Sequence, residues 1–269
     1  MSPNTAPATP PAEPRIAVVT GGAGSIGTAI CRRLADAGYT VCVADIDPER
    51  SRAAARAIDG EHLSFGGDLS DEPTVLRMVE QLRAAGTVTL LVNAAGISPK
   101  SELGKLQIDE IDAEQFMAVL RANTLGPFLA SKHLATLMPS DGTASIVNIL
   151  SIAVRMATGG VRGAAFPPLI SSASHYAASK AALHNLQISM CREFASLNIR
   201  VNGVAPGYIR TAMNANVADS EIRAVIDQIP LGRTGTPDDI ADAVEFLASA
   251  HASYITGAVL DVNGGWLPA

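Results

Sequence analysis

Tyr176 and Lys180 stand four positions apart in the alanine-rich stretch SHYAASKAAL. On a helix that spacing puts a phenol and an ammonium on one face. A tyrosine ordinarily ionises near pH 10, too high for a base at neutral pH. A neighbouring cation stabilises the phenolate and draws ionisation toward the range that general acid–base catalysis uses. Taken alone, Y-x-x-x-K more often marks a surface tyrosine beside a solvated lysine, so its meaning depends on its company.

The second chemical candidate is TGGAGSIG, Thr20 to Gly27, which follows a β-branched apolar run and opens a helical pattern. Glycines allow a tight turn and a close approach to a pyrophosphate, while a helix N-terminus offers N–H groups and a positive dipole end to the anion. Gly22, Gly24 and Gly27 carry the spacing G-x-G-x-x-G, which other glycine-rich turns share. Asp45 ends the second apolar run about 20 residues on, where a carboxylate reaches both hydroxyls of an adenosine ribose. Its plain alternative is a strand-end turn residue. A carboxylate there repels a 2′-phosphate and the following Ile46 is not basic, so the reading is NAD rather than NADP.

These groups need a scaffold. RIAVVT, TVCVAD, VTLLVN, ASIVNIL, IRVNGVAP and GAVLDVNGG alternate with longer amphipathic stretches, two of which begin near Ser25 and Pro48. The runs are nearly continuous in apolar residues, the pattern of parallel strands covered on both faces. Right-handed crossovers then predict an α/β fold, a doubly wound parallel sheet of Rossmann type with its ligand at the carboxyl ends of the strands. With 269 residues, 48% hydrophobic and 17% charged, the chain fits a single domain over 15–269. Residues 1–14 read as a disordered proline-rich tail, and 152–172 as an inserted loop beside the substrate.

The formal net charge is -6 and the basic residues are scattered, which predicts neither a nucleic-acid footprint nor a membrane patch. No apolar run reaches membrane-span length and the tail lacks a signal-peptide pattern. Cys31, Cys42 and Cys191 lack metal-type spacing and read as buried free thiols, with no metal expected. Small-molecule partners and a cytoplasmic location follow as expectations.

The motifs TGGAGSIG, GDLS (Gly67 to Ser70), NAAG (Asn93 to Gly96), Asn123 in the next helix, VNILS ending at Ser151, YAASK, APG (Ala205 to Gly207) with Thr211 beyond, and ITGAVLDVNGG are present together. From Arg15 to its end the chain thereby resembles the short-chain dehydrogenase/reductase family. The resemblance implies a catalytic tetrad of Asn123, Ser151, Tyr176 and Lys180. In it Tyr176 exchanges a proton with the substrate oxygen, Ser151 hydrogen-bonds that oxygen, Lys180 holds the nicotinamide ribose and lowers the tyrosine pKa, and Asn123 positions a relay water. It further implies NAD contacts at Gly21, Gly24, Ser25 and Ile26 for the phosphates, and at Asp45 and Ile46 for the ribose. Asp68 and Leu69 would touch adenine, with Asn93, Ala94, Ala95 and Gly96 as the wall beside the adenosine ribose. Tyr176 and Lys180 belong to the cofactor set too, and Pro206, Gly207, Ile209 and Thr211 would grip the carboxamide. A homo-oligomer, a tetramer by analogy, is implied through DDIADAVEFLAS, the segment before it and the C-terminal strand.

Three departures stand out. Ser25 occupies the family's middle glycine position, Leu150 replaces a frequent serine before Ser151, and the gap from Ser151 to Tyr176 is longer than usual. That longer gap carries Arg155 and Arg162, and Arg210 follows APG; these are candidates for an anionic substrate group, with solvated loop arginines as the alternative. Met156, Phe166, Pro167, Pro168, Tyr208 and Met213 are candidate apolar walls. The function expected is NAD-dependent oxidation of a secondary alcohol (a sugar, polyol or hydroxy acid) or reduction of the matching ketone. A non-catalytic NAD-binding sensor, or an isomerase or dehydratase that uses NAD transiently, stands beside it.

Overall fold

A computed structural model describes residues 14–99, 106–156, 173–211 and 219–267. The expected proline-rich tail, apart from Pro14, and residues 157–172 of the expected insertion lie outside the described residues. β1 (Arg15–Thr20), β2 (Thr40–Asp45), β3 (Leu63–Gly66), β4 (Thr87–Asn93), β5 (Ser145–Ile149), β6 (Arg200–Pro206) and β7 (Val259–Val262) form one parallel sheet in the order β3-β2-β1-β4-β5-β6-β7. The chain runs outward from β1 through β3, then returns to place β4 on the other side of β1. In doubly wound sheets such a reversal is where a ligand crevice opens, here between β1 and β4 at their carboxyl ends.

Between the strands lie α1 (Ser25–Asp36), α2 (Pro48–Arg56), α3 (Glu72–Arg83), α4 (Ala113–Leu120), α5 (Gly126–Leu134), α6 (Ala153–Met156), α7 (Ser174–Glu193), α8 (Asp219–Ile226) and α9 (Pro237–Ala248). The continuous apolar strands serve two cores. Ile16, Val18, Leu91 and Ile146 pack on one face with Val75, Met78, Leu134 and Met190 of α3, α5 and α7. Ala17, Val19, Leu90, Val92 and Val147 pack on the other with Ile30, Leu34, Ile240 and Val244 of α1 and α9. Each such side chain contributes about 1.5–3 kcal/mol when fully buried, so alternation gives way to runs apolar at every position.

β3 is the strand missing from the sequence reading. Its four residues bury only Phe65 and sit at the sheet edge, too short for a period to show. Cys31 and Cys42 are buried free thiols on opposite faces, and burial pushes both up to about 12. Cys191 is a free, half-buried thiol. No helix of the described residues is long and apolar enough to cross a membrane.

Candidate active site

The glycine turn between β1 and α1 reaches across the crevice. Gly21 has φ +65°, and a Cβ there would stand 2.7 Å from the Ala95 Cα; one on Gly27 would stand 2.1 Å from the Gly21 carbonyl oxygen. Only glycine therefore allows the turn, the loop after β4 and the start of α1 to come this close. Asp47, Asp71 and Thr236 cap α2, α3 and α9 with side-chain oxygens. α1 differs: its N-cap is Gly24, no side chain caps it, and its first turn holds no acid. An anion brought here meets a helix N-terminus with no carboxylate in its first turn. Ser25 is the exposed first residue of α1 and Ile26 is half-buried, so the departure from glycine leaves the cradle open. The donor set and the absence of Cβ atoms fit a dinucleotide pyrophosphate.

Asp45, 9% exposed, ends β2 at the edge of this cradle. Its carboxylate accepts from Ala23 N and Asp47 N, each at 3.3 Å, while Ile46 beside it is exposed. Arg50 was not foreseen. From the first turn of α2 it donates through Nη2 to the Ala23 carbonyl at 3.0 Å, so the Ala23 residue is held by an acid on one side and a guanidinium on the other. Its only signal in the sequence was a basic residue shortly after the strand-end acid.

Asp68 is exposed, and its Oδ1 accepts from Ser70 N at 2.8 Å; Leu69 packs against the core of α3 and α5. Asn93 differs from the expected wall residue. Its buried amide turns into the protein, donating to Ser131 Oγ at 3.1 Å and Asn148 Oδ1 at 2.8 Å. The strand pleat sends it inward, while Ala94 and Ala95 beyond it are half-buried and Gly96 is exposed. Thr20 Oγ1 ties these to β1 by accepting from Ala94 N and Ala95 N, each at 3.1 Å.

Asn123 lies not in a regular helix but in a π-turn, Arg121–Leu125, between α4 and α5. Such one-turn bulges recur at functional sites. Its fully buried side chain accepts from Ile97 N at 2.8 Å and donates to the Ile97 carbonyl and Ser179 Oγ, each at 2.9 Å. Both amide hydrogens are thus spent on protein. Ser151 follows β5, and its Oγ accepts from Ala153 N at 3.1 Å.

Tyr176 and Lys180 do share a face of α7. Lys180 Nζ is 5.9 Å from the tyrosine ring centroid and donates to the Ile149 carbonyl at 2.7 Å. A Cβ on Gly96 would stand 3.4 Å from the same nitrogen, so the ammonium also borders the loop after β4. The electrostatics differ from the expectation. Burial raises the Tyr176 pKa, and a hydrogen bond with Ser151 only pulls it partly back. Burial likewise lowers Lys180 to about 8. The ammonium is committed to a carbonyl rather than the phenol oxygen, and desolvation disfavours charge on both groups.

The segment after β6 closes the far side. The Pro206 carbonyl accepts from Ile152 N at 3.1 Å, Gly207 N donates to the Val262 carbonyl at 2.9 Å, and Ile209 bridges Gly235. Thr211 ends this described stretch. Arg155 pairs with Asp261 at 3.1 Å, which takes it from the set of arginines awaiting an anion. Arg210 is exposed. Arg162, Phe166, Pro167, Pro168 and Met213 lie outside the described residues.

Residues 21–267 match the family model described as Enoyl-(Acyl carrier protein) reductase. The chain is 39% identical to carbonyl reductase family member 4 of Danio rerio, covering 93% of this chain and 97% of that protein. It is 36% identical to the acetoacetyl-CoA reductase of Allochromatium vinosum, covering 93% and 98%. It is also 36% identical to the cis-4-hydroxycyclohexanecarboxylate dehydrogenase of Sinomonas cyclohexanicum, covering 94% and 96%. Among solved structures, a 3-oxoacyl-[acyl-carrier protein] reductase from Brucella melitensis superposes with a TM-score of 0.84 at 28% identity, covering 94% of this chain and 92% of that one.

Proposed function

Because this chain belongs to the short-chain dehydrogenase/reductase family, oxidoreductases of CH–OH and carbonyl groups, we propose that it is an NAD-dependent dehydrogenase of a secondary alcohol in which Tyr176 exchanges the substrate proton. The observation that carries the proposal is the meeting of Asn123, Ser151, Tyr176 and Lys180 beside the loop after β4, across the crevice from an uncapped helix N-terminus.

When bound, the nicotinamide supplies the hydride chemistry; the chain supplies orientation and proton handling. Gly21, Gly24, Ser25 and Ile26 would hold the pyrophosphate. Asp45 would accept from the ribose hydroxyls, with Asp68 and Leu69 at the adenine. Ala94 to Gly96 would form the wall, Lys180 would reach the nicotinamide ribose, and Pro206, Gly207, Ile209 and Thr211 would grip the carboxamide. Ser151 already hydrogen-bonds Tyr176, so a substrate oxygen entering between the two hydroxyls would meet a hydrogen-bonding partner and a group with which to exchange its proton. Asn123 supports this floor by fixing Ile97.

Substrates are proposed to be hydroxy acids or their acyl thioesters. Relatives with this chemistry in their names support that choice, as does the exposed Arg210. A homo-oligomer is proposed through α9 and β7, where Phe246 and Leu260 are exposed large apolar residues. The test is purified protein with NAD or NADP and a panel of hydroxy acids, hydroxyacyl thioesters and polyols. Net NADH from an acyl-type alcohol is expected. NAD binding without chemistry would point to a sensor, and an altered product without net NADH to transient cofactor use; either would overturn the dehydrogenase reading.

A further inference from the structure

We propose that Ser179 is a positioning residue that sets Tyr176 relative to the loop after β4, an inference that rests on Tyr176 being the acid/base. Ser179 is fully buried in α7. Its hydroxyl donates to the Tyr176 carbonyl at 2.7 Å and accepts from Asn123 Nδ2 at 2.9 Å. Its own carbonyl accepts from Thr124 Oγ1 at 3.0 Å. A serine back-bonded to its own helix is commonplace. This one is also the acceptor for a side chain from another element, which makes it a junction between three segments.

The direction of the chain of bonds is determined. A serine hydroxyl has one hydrogen, and here it goes to the Tyr176 carbonyl, so the oxygen must accept from Asn123. Asn123 in turn must present Oδ1 to the Ile97 N–H, the bond seen at 2.8 Å. The run Ile97 N–H to Asn123, Asn123 to Ser179, Ser179 to Tyr176 has every donor and acceptor consistent, and such runs strengthen cooperatively in a buried setting. Its ends are the loop carrying Gly96, beside Lys180 Nζ, and the backbone of the proposed acid/base. Displacing the Ser179 hydroxyl therefore moves the phenol against the floor on which substrate and cofactor would rest, without touching the glycine cradle.

The test compares full-length wild type, Ser179→Ala and Ser179→Cys, with Tyr176→Phe as reference. The cysteine keeps the volume but is a weak donor, and it serves alone should the alanine variant not fold. Two readouts are taken. The first is the Tyr176 phenol titration without substrate, defined as the part of the ultraviolet phenolate signal missing from Tyr176→Phe. The second is the split between kcat and the KM for NAD. Both Ser179 variants are expected to lose roughly tenfold in kcat, as a small misplacement of a reacting group would cause, with the KM for NAD within about twofold because the cradle is intact. The phenol titration is expected to move upward as its bond from Ser151 loosens. A wild-type titration and kcat in both variants would overturn the proposal. So would a wild-type cysteine variant beside an impaired alanine one, since volume rather than the hydroxyl would then matter. Should Tyr176→Phe itself turn over normally, the acid/base reading falls, while the substrate-free titration still decides whether Ser179 positions the phenol.

Discussion

Lys180 shows most plainly what spacing can and cannot say at the scale of a single residue. Its shared face with Tyr176 was legible from the four-residue interval; the direction in which both groups are shifted was not, because desolvation belongs to the assembled fold. A lysine held near 8 when folded and near 10.5 when unfolded binds fewer protons folded than unfolded between those values, so stability rises with pH across that window. Below about 8 the full burden of a buried ammonium is present, about 3 kcal/mol at 1.36 kcal/mol per unit. Lys180→Met should therefore gain more Tm over wild type at pH 6 than at pH 10, read by calorimetry at both; an equal difference at the two would contradict it. Asp45 makes the second residue-scale prediction. Asp45→Ser would remove both the proposed ribose acceptor and the charge that would face a 2′-phosphate, while Arg50 remains at the same edge. The ratio of kcat/KM for NADP over NAD should rise by about 10-fold or more, the worth of one to two charge-assisted hydrogen bonds.

At the scale of elements, the strands were legible wherever both faces are buried, since Ile16 to Thr20 and Val41 to Asp45 admit no polar alternation on either side. β3 and the π-turn at Arg121–Leu125 were not. The first buries too little, and nothing in the residue types RANTL separates a π-turn from the α-helices on both sides. Arg200 illustrates a third element-scale device. From the start of β6 its nearly buried guanidinium donates to the carbonyls of Leu247, Ala248 and Ser249 at 2.7, 3.3 and 3.4 Å, closing the C-terminus of α9. Burial lowers its pKa, but the carbonyl dipoles at a helix end favour the cation. Arg200→Leu strands those carbonyls and should cost about 3 kcal/mol, or roughly 6–12 °C in Tm. A Tm unchanged by thermal unfolding would show that α9 does not depend on this cap.

At the scale of the whole molecule, the proposed site draws on groups from the length of the chain, from Gly21 to Thr211, around the point where the strand order reverses. Doubly wound topology could be read from the alternation of apolar runs and helices, which is why residues so distant in sequence could be assigned to one site. The orientation of Asn93 and the pairing of Arg155 with Asp261 could not, because each depends on which neighbour a side chain finds after folding. β7 lies at the sheet edge with Leu260 exposed, and α9 exposes Phe246; an uncovered edge with apolar residues invites a second copy. Light scattering after size exclusion should give a multiple of the 27.8 kDa chain, and Leu260→Glu should lower it; a wild-type monomer would contradict this. The proton exchange assigned to Tyr176 is tested most directly by NADH formation in Tyr176→Phe at saturating alcohol, with the NAD dissociation constant measured alongside. Turnover should fall by about 10²–10⁴-fold, far more than any loss of NAD binding, and wild-type turnover in that variant would contradict the account.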